Sequence, residues 1–79
     1  MSVQMEWDQE LDASGLLCPL PVLKARKRLQ AMAQGEVLRL LATDPAAVID
    51  VPHFCTESGH ELVGTEDDGE TQIYLIRHA

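Results

Sequence analysis

From residue 5 to residue 12 the chain alternates, with Met5, Trp7, Gln9 and Leu11 interleaved with Glu6, Asp8, Glu10 and Asp12. Such alternation marks a strand with one face toward a core and the other toward water, and here the water face is strongly acidic. Trp7 is the expected anchor of the covered face. After Ala13-Ser14-Gly15 the period changes. Between Pro19 and Gln34 apolar side chains recur at Val22, Ala25, Leu29 and Met32, at helical spacing, and Gly35 ends the run. Pro19 and Pro21 suit the first turn of that helix, where amides have no intrahelical acceptor to lose.

Glu36 to Thr43 holds the run Val37-Leu38-Arg39-Leu40-Leu41-Ala42, which has the length and apolar character of a buried strand. Asp44-Pro45 reads as an N-cap and first-turn proline opening a second helical segment through Ala46, Ala47, Val48 and Ile49. Pro52 lacks an amide and clashes with the preceding turn, so a kink or two half-helices are expected between Pro45 and Ser58, with Gly59 closing the segment. His60 to Glu66 and Thr71 to His78 then read as strands joined by a turn at Asp67-Asp68-Gly69. The order is βαβαββ. A single domain over residues 1–79 is expected, an α/β two-layer sandwich with two helices on one face of a four-stranded mixed sheet.

At 79 residues and 46% apolar content the chain can build one modest core, and no apolar run approaches the length of a membrane span. The first residues lack the basic stretch and apolar core of a secretory signal, so residence in the cytoplasm is expected. Thirteen acidic residues against six basic ones give a formal charge of −7, which disfavours direct binding to a nucleic-acid backbone. Four of the six cations, Lys24, Arg26, Lys27 and Arg28, fall in one short segment. Lys24, Lys27 and Arg28 lie at helical offsets of three and four and form a candidate docking face, or simply a solvated one. The phase of Arg26 puts it near the buried stripe, its stem over apolar neighbours.

Immediately before that segment stands Gly15-Leu16-Leu17-Cys18-Pro19-Leu20-Pro21, with one of the chain's two cysteines. At the start of a helix Cys18 would meet free amides and the positive end of the helix dipole, which favour a thiolate and lower its pKa. A Cys-x-x-Cys oxidoreductase needs a resolving thiol three residues on, and Pro21 occupies that position. A carrier of sulfur as a persulfide has the opposite need, because a neighbouring thiol would release the cargo as sulfide. Cys18 is therefore the candidate catalytic residue, its alternative being a small apolar residue packed under the helix.

The run from Gly15 to Val22 resembles the signature of the TusA/SirA-like family of sulfur carriers. The resemblance continues through Asp44-Pro45-Ala46, Asp50-Val51-Pro52 and Phe54-Cys55-Thr56 into Glu61-Leu62-Val63 and Tyr74-Leu75-Ile76-Arg77. It implies a βαβαββ sandwich in which Cys18 bears the persulfide, with no other cofactor. It implies a cysteine desulfurase as donor and a downstream sulfur-relay protein or complex as acceptor, ending in 2-thiolation of the wobble uridine of certain tRNAs. Relatives with the motif also serve sulfur oxidation, selenium metabolism and molybdenum-cofactor pathways. A non-catalytic interaction or regulatory module is the reading from a different class.

Cys55 shares a helical side with Val48 and Val51, and burial is its expected state. A redox pair of Cys18 and Cys55 is the third reading, with an intramolecular disulfide as its mark. Cys55 with His53, His60 and His78 matches no compact zinc spacing, so no metal site is expected.

Overall fold

The computed structural model describes residues 6–79. Its elements are β1 (Gln9–Ala13), α1 (Leu20–Gln30), β2 (Val37–Ala42), α2 (Ala47–Ser58), β3 (Glu61–Asp67) and β4 (Gln72–Arg77). They form the four-stranded mixed sheet expected, in the order β1-β2-β4-β3. β1 and β2 are parallel, joined through α1, while β4 runs antiparallel between β2 and β3.

The register explains the two layers. Leu38 lies opposite Ile76, Leu40 opposite Tyr74 and Ala42 opposite Gln72, and all six are buried. Side chains two apart share a face of a strand, so these pairs line one side of the sheet. Ala25 and Leu29 of α1 and Val51, Phe54 and Cys55 of α2 pack into the same core, which places both helices on that side. The opposite side, with Arg39, Leu41, Ile73 and Leu75, stays half-exposed.

Three boundaries differ from the sequence pattern by more than one residue. β1 begins at Gln9, because Asp8 closes the strand entry: its amide donates to the Val37 carbonyl and its carboxylate accepts from the Val37 amide, both at 2.8 Å. Trp7 therefore stands outside the strand, 45% exposed, with the Arg39 guanidinium 5.5 Å from its ring centroid, a cation–π contact rather than a sheet anchor. Met5 lies outside the described residues. α1 ends at Gln30 rather than Gln34, because the Ala31 and Met32 amides tighten onto the Arg28 and Leu29 carbonyls. Met32 still reaches the core, which is why the apolar period outlasts the helix.

α2 begins at Ala47 with Ala46 as its N-cap, so Asp44 is not the cap. Asp44 instead opens a tight turn, its carbonyl accepting from the Ala47 amide and its carboxylate from the Ala46 amide. The helix then runs unbroken to Ser58 with Pro52 inside it, and no pair of half-helices forms. The carbonyl that Pro52 leaves without a helical donor belongs to Val48, a 53% exposed residue. Gly59 ends the helix in the left-handed conformation, φ 80°, that glycine adopts without strain. Among the described residues no helix is long and apolar enough to cross a membrane.

Candidate functional site around Cys18

The parallel pair β1 and β2 directs both strands' carboxyl ends to the same edge, the place where open α/β sheets gather functional loops. β1 leads into the Cys18 loop, and β2 leads into Thr43 and Asp44. The two loops are tied by side chains. The Gly15 amide donates to Thr43 Oγ1 at 2.8 Å, and the Cys18 amide donates to Asp44 Oδ2. Asp44 is itself buried, and its carbonyl accepts from Gln72 Nε2 at 3.3 Å while Gln72 Oε1 accepts from the Tyr74 hydroxyl at 2.6 Å. Cys18 is thus exposed on a loop whose backbone is hydrogen-bonded into the far side of the core.

The thiol's electrostatics run against the sequence expectation. Cys18 lies one residue before the N-cap Pro19, to which it is joined by a cis peptide bond. The Leu20 amide is engaged by the Leu17 carbonyl, and Pro19 and Pro21 have no amide to offer. The carboxylate of Asp50, in the first turn of α2, favours the protonated thiol and raises the Cys18 pKa above its ordinary value. Partial desolvation and the negative charges of Asp50 and Asp44 push in the same direction. Neither aspartate was legible as a neighbour of the sulfur, since each lies more than twenty-five residues away in sequence. The available signal was topological: parallel strands put their following loops side by side.

The second thiol has a different place. Cys55 is buried with Ala47, Val51 and Phe54, and desolvation raises its pKa to about 11. Val48, expected on the same side, faces solvent. Both cysteines are free.

The cations are rearranged as well. Lys24 and Lys27 are exposed on α1, and Arg26 is exposed with them rather than laid over the buried stripe. Arg28 leaves that face: half-buried, it donates to the Glu10 carbonyl at 3.3 Å and to Gln9 Oε1 at 3.5 Å. The loop and the two helices also expose large apolar side chains, Leu17 (68%), Leu20 and Leu23 near Cys18 in sequence and Val48 and Ile49 (74%) next to Asp50. A groove of about 320 Å³ on the β3–β4 side of α2, lined by Val48, Pro52, Glu66 and Tyr74 among others, does not include Cys18. His53 pairs with Glu57 on the surface, while the His60 and His78 rings lie 4.9 Å apart. Among the described residues no three His, Cys, Asp or Glu side chains converge as metal ligands.

Comparison with known proteins agrees with this architecture. The family model described as Sulfurtransferase TusA matches residues 9–78. The Sulfur carrier protein TusA of Allochromatium vinosum is 49% identical over 72 residues, covering 91% of this chain and 95% of that protein. The protein of the same name from Pseudomonas entomophila is 46% identical over 70 residues, 89% of this chain and 88% of its own length. The crystal structure of a SirA-like protein from Desulfitobacterium hafniense superposes with a TM-score of 0.78 at 24% identity, covering 89% of this chain and 96% of that one, and shows the shared fold. With its whole sheet, both helices and the exposed Cys18 loop inside the matched span, this chain belongs to the TusA family of sulfur carriers.

Proposed function

We propose that Cys18 carries the sulfur as a persulfide, taking it from a cysteine desulfurase and passing it to a downstream sulfur-relay protein in the cytoplasm, on the way to 2-thiouridine at the tRNA wobble position. The observation that supports this reading is the isolation of an exposed thiol: Pro21 stands at the resolving position, and the other cysteine is in the core. In the loading step the Cys18 sulfur attacks the outer sulfur of the donor's persulfide. The new S–S bond forms as the donor's breaks, the donor cysteine leaves as a thiolate, and the Cys18 proton is released. In the delivery step an acceptor thiolate attacks the outer sulfur, and Cys18 leaves. No cofactor beyond the covalent sulfur takes part.

The exposed cations Lys24, Arg26 and Lys27, with Leu17 and Leu20 nearer the sulfur, suit a protein partner carrying acidic groups around its own cysteine. The chain's charge of −7 suits a carrier that leaves the tRNA to later proteins. Incubation with a cysteine desulfurase and cysteine, followed by intact mass, tests the chemistry: one sulfur is expected on the wild-type chain and none on Cys18→Ser. Equal loading of both would overturn it. Gene deletion followed by assay of thiolated tRNA tests the destination. Normal tRNA with a defect in sulfur oxidation, selenium or molybdenum-cofactor metabolism would reassign the pathway. A deletion phenotype fully rescued by Cys18→Ser would leave an interaction module instead.

A further inference from the structure

Inward-facing positions of a strand in a small core are normally apolar, yet β4 places Gln72 and Tyr74 in two of its three. A buried polar side chain is destabilising unless it is hydrogen-bonded, and here each bond leads toward the sulfur loop. The Tyr74 hydroxyl donates to Gln72 Oε1 at 2.6 Å, and Gln72 Nε2 donates to the Asp44 carbonyl at 3.3 Å. Asp44 is the link that reaches Cys18: its Oδ2 accepts from the Cys18 amide while its Oδ1 accepts from the Ala46 amide at 3.1 Å. One carboxylate oxygen thus holds the sulfur loop, and the other holds the turn that opens α2. The Thr43 hydroxyl makes the neighbouring tie, to the Gly15 amide. Asp44 takes part in none of the ion pairs among the described residues, Arg39–Glu10, His53–Glu57 and Arg77–Glu61, and its carboxylate contacts are these backbone amides.

We propose that Asp44, anchored from behind by Gln72 and Tyr74, is the positioning residue of sulfur transfer, a role that rests on the carrier reading above: it fixes the Cys18 backbone so that the sulfur meets a partner's persulfide in line. Exchange at sulfur needs the attacking, central and leaving sulfurs aligned. An exposed side chain on an untied loop samples many directions, whereas a loop held at the Gly15 and Cys18 amides presents the sulfur in few. A misplacement of about 1 Å at a reacting atom can cost about a hundredfold in rate. Asparagine has one acceptor oxygen in place of two, and its NH2 group would face an amide donor. Asp44→Asn therefore keeps the size of the side chain and loses one of its two ties.

The experiment is single-turnover loading over a range of cysteine desulfurase concentrations, read by intact mass on the wild-type chain, Asp44→Asn, Gln72→Leu and the double variant. The limiting rate should fall by about tenfold or more in Asp44→Asn and by a smaller factor in Gln72→Leu. The half-saturating desulfurase concentration should not change, and loading should still reach one sulfur per chain, whereas loss of folded protein would lower that endpoint. Because the two residues act through one contact, the double variant should be no slower than Asp44→Asn alone. Reaction with hydroxyethyl disulfide, a small disulfide that needs no docking, should not slow in either. A wild-type limiting rate in Asp44→Asn, a defect confined to half-saturation, an additive double variant, or equal slowing with hydroxyethyl disulfide would each overturn the proposal. A second measurement needs no partner: by NMR the Cys18 amide proton should lose protection against solvent exchange in Gln72→Leu, and unchanged protection would also overturn it. A wild-type chain that takes up no sulfur removes the carrier reading. A wild-type chain that loads, with every variant loading at the same rate, removes the positioning role alone.

Discussion

Cys55 lies among Val51, Phe54 and the sheet, and its thiol, pushed up to about 11 by burial, holds essentially no charge at neutral pH. Cys55→Ala should therefore leave sulfur loading at Cys18 unchanged while costing about 1 to 2 kcal/mol of stability through the void it opens, measurable by urea denaturation. His60 supplies a pH dependence at the other end of the molecule. Its Nδ1 accepts from the Ala79 amide, and burial, with His78 beside it, lowers its pKa below 6.5. The unfolded chain then binds the proton first, so this contribution to stability is complete above about pH 6.5 and is lost as pH falls toward the lower folded value. The urea midpoint should drop over that window less steeply in His60→Gln than in wild type; equal slopes would assign the dependence elsewhere. At this scale Cys18 was legible because a cysteine before two prolines is a local pattern. Asp50 was not, because its relation to the sulfur exists only after the chain has folded.

Among the elements, α2 is the one whose sequence and structure disagree most. Pro52 predicts an interruption, but Val51, Phe54 and Cys55 are all drawn into the core by one continuous helix, and the lost hydrogen bond falls at Val48, an exposed residue. Packing thus overrides a local penalty that remains in force. Pro52→Ala should restore that bond and raise stability by about 1 to 2 kcal/mol, less than the full helix-interior penalty because proline also limits the unfolded chain. Differential urea denaturation reads it, and a loss of stability would show that the ring packs more than it disrupts. In β1 and β4 the burial alternates along the strand: β4 buries Gln72, Tyr74 and Ile76 and half-exposes the residues between. Their neighbours in the sheet were not readable from the strands themselves. Nothing local in β4 says that the last strand in sequence inserts between β2 and β3, since that choice belongs to long-range pairing.

For the molecule as a whole, the distribution of charge matters more than its sum. Net −7 is spread over the molecule, whereas Lys24 and Lys27 share an exposed side of α1, with Arg26 exposed on its other flank and Arg28 withdrawn to brace β1. If that face meets the sulfur partner, Lys24→Glu with Lys27→Glu should slow sulfur uptake from a desulfurase by roughly threefold to tenfold at low salt. The defect should shrink near 1 M salt, where charges are screened within about 3 Å. A defect independent of salt would point to contacts other than charge. The sheet register has a last consequence. Ala13, Ala42, Gln72 and Asp67 align at the end that bears the sulfur loop, while Gln9, Leu38, Ile76 and Leu62 mark the opposite end, close to Ala79. Four steps of β4, from Gln72 to Ile76, separate these poles by about 13 to 14 Å. Ala79 is thus a handle: a bead, a surface or a fused domain attached there would hold the protein by its tail and present the sulfur outward.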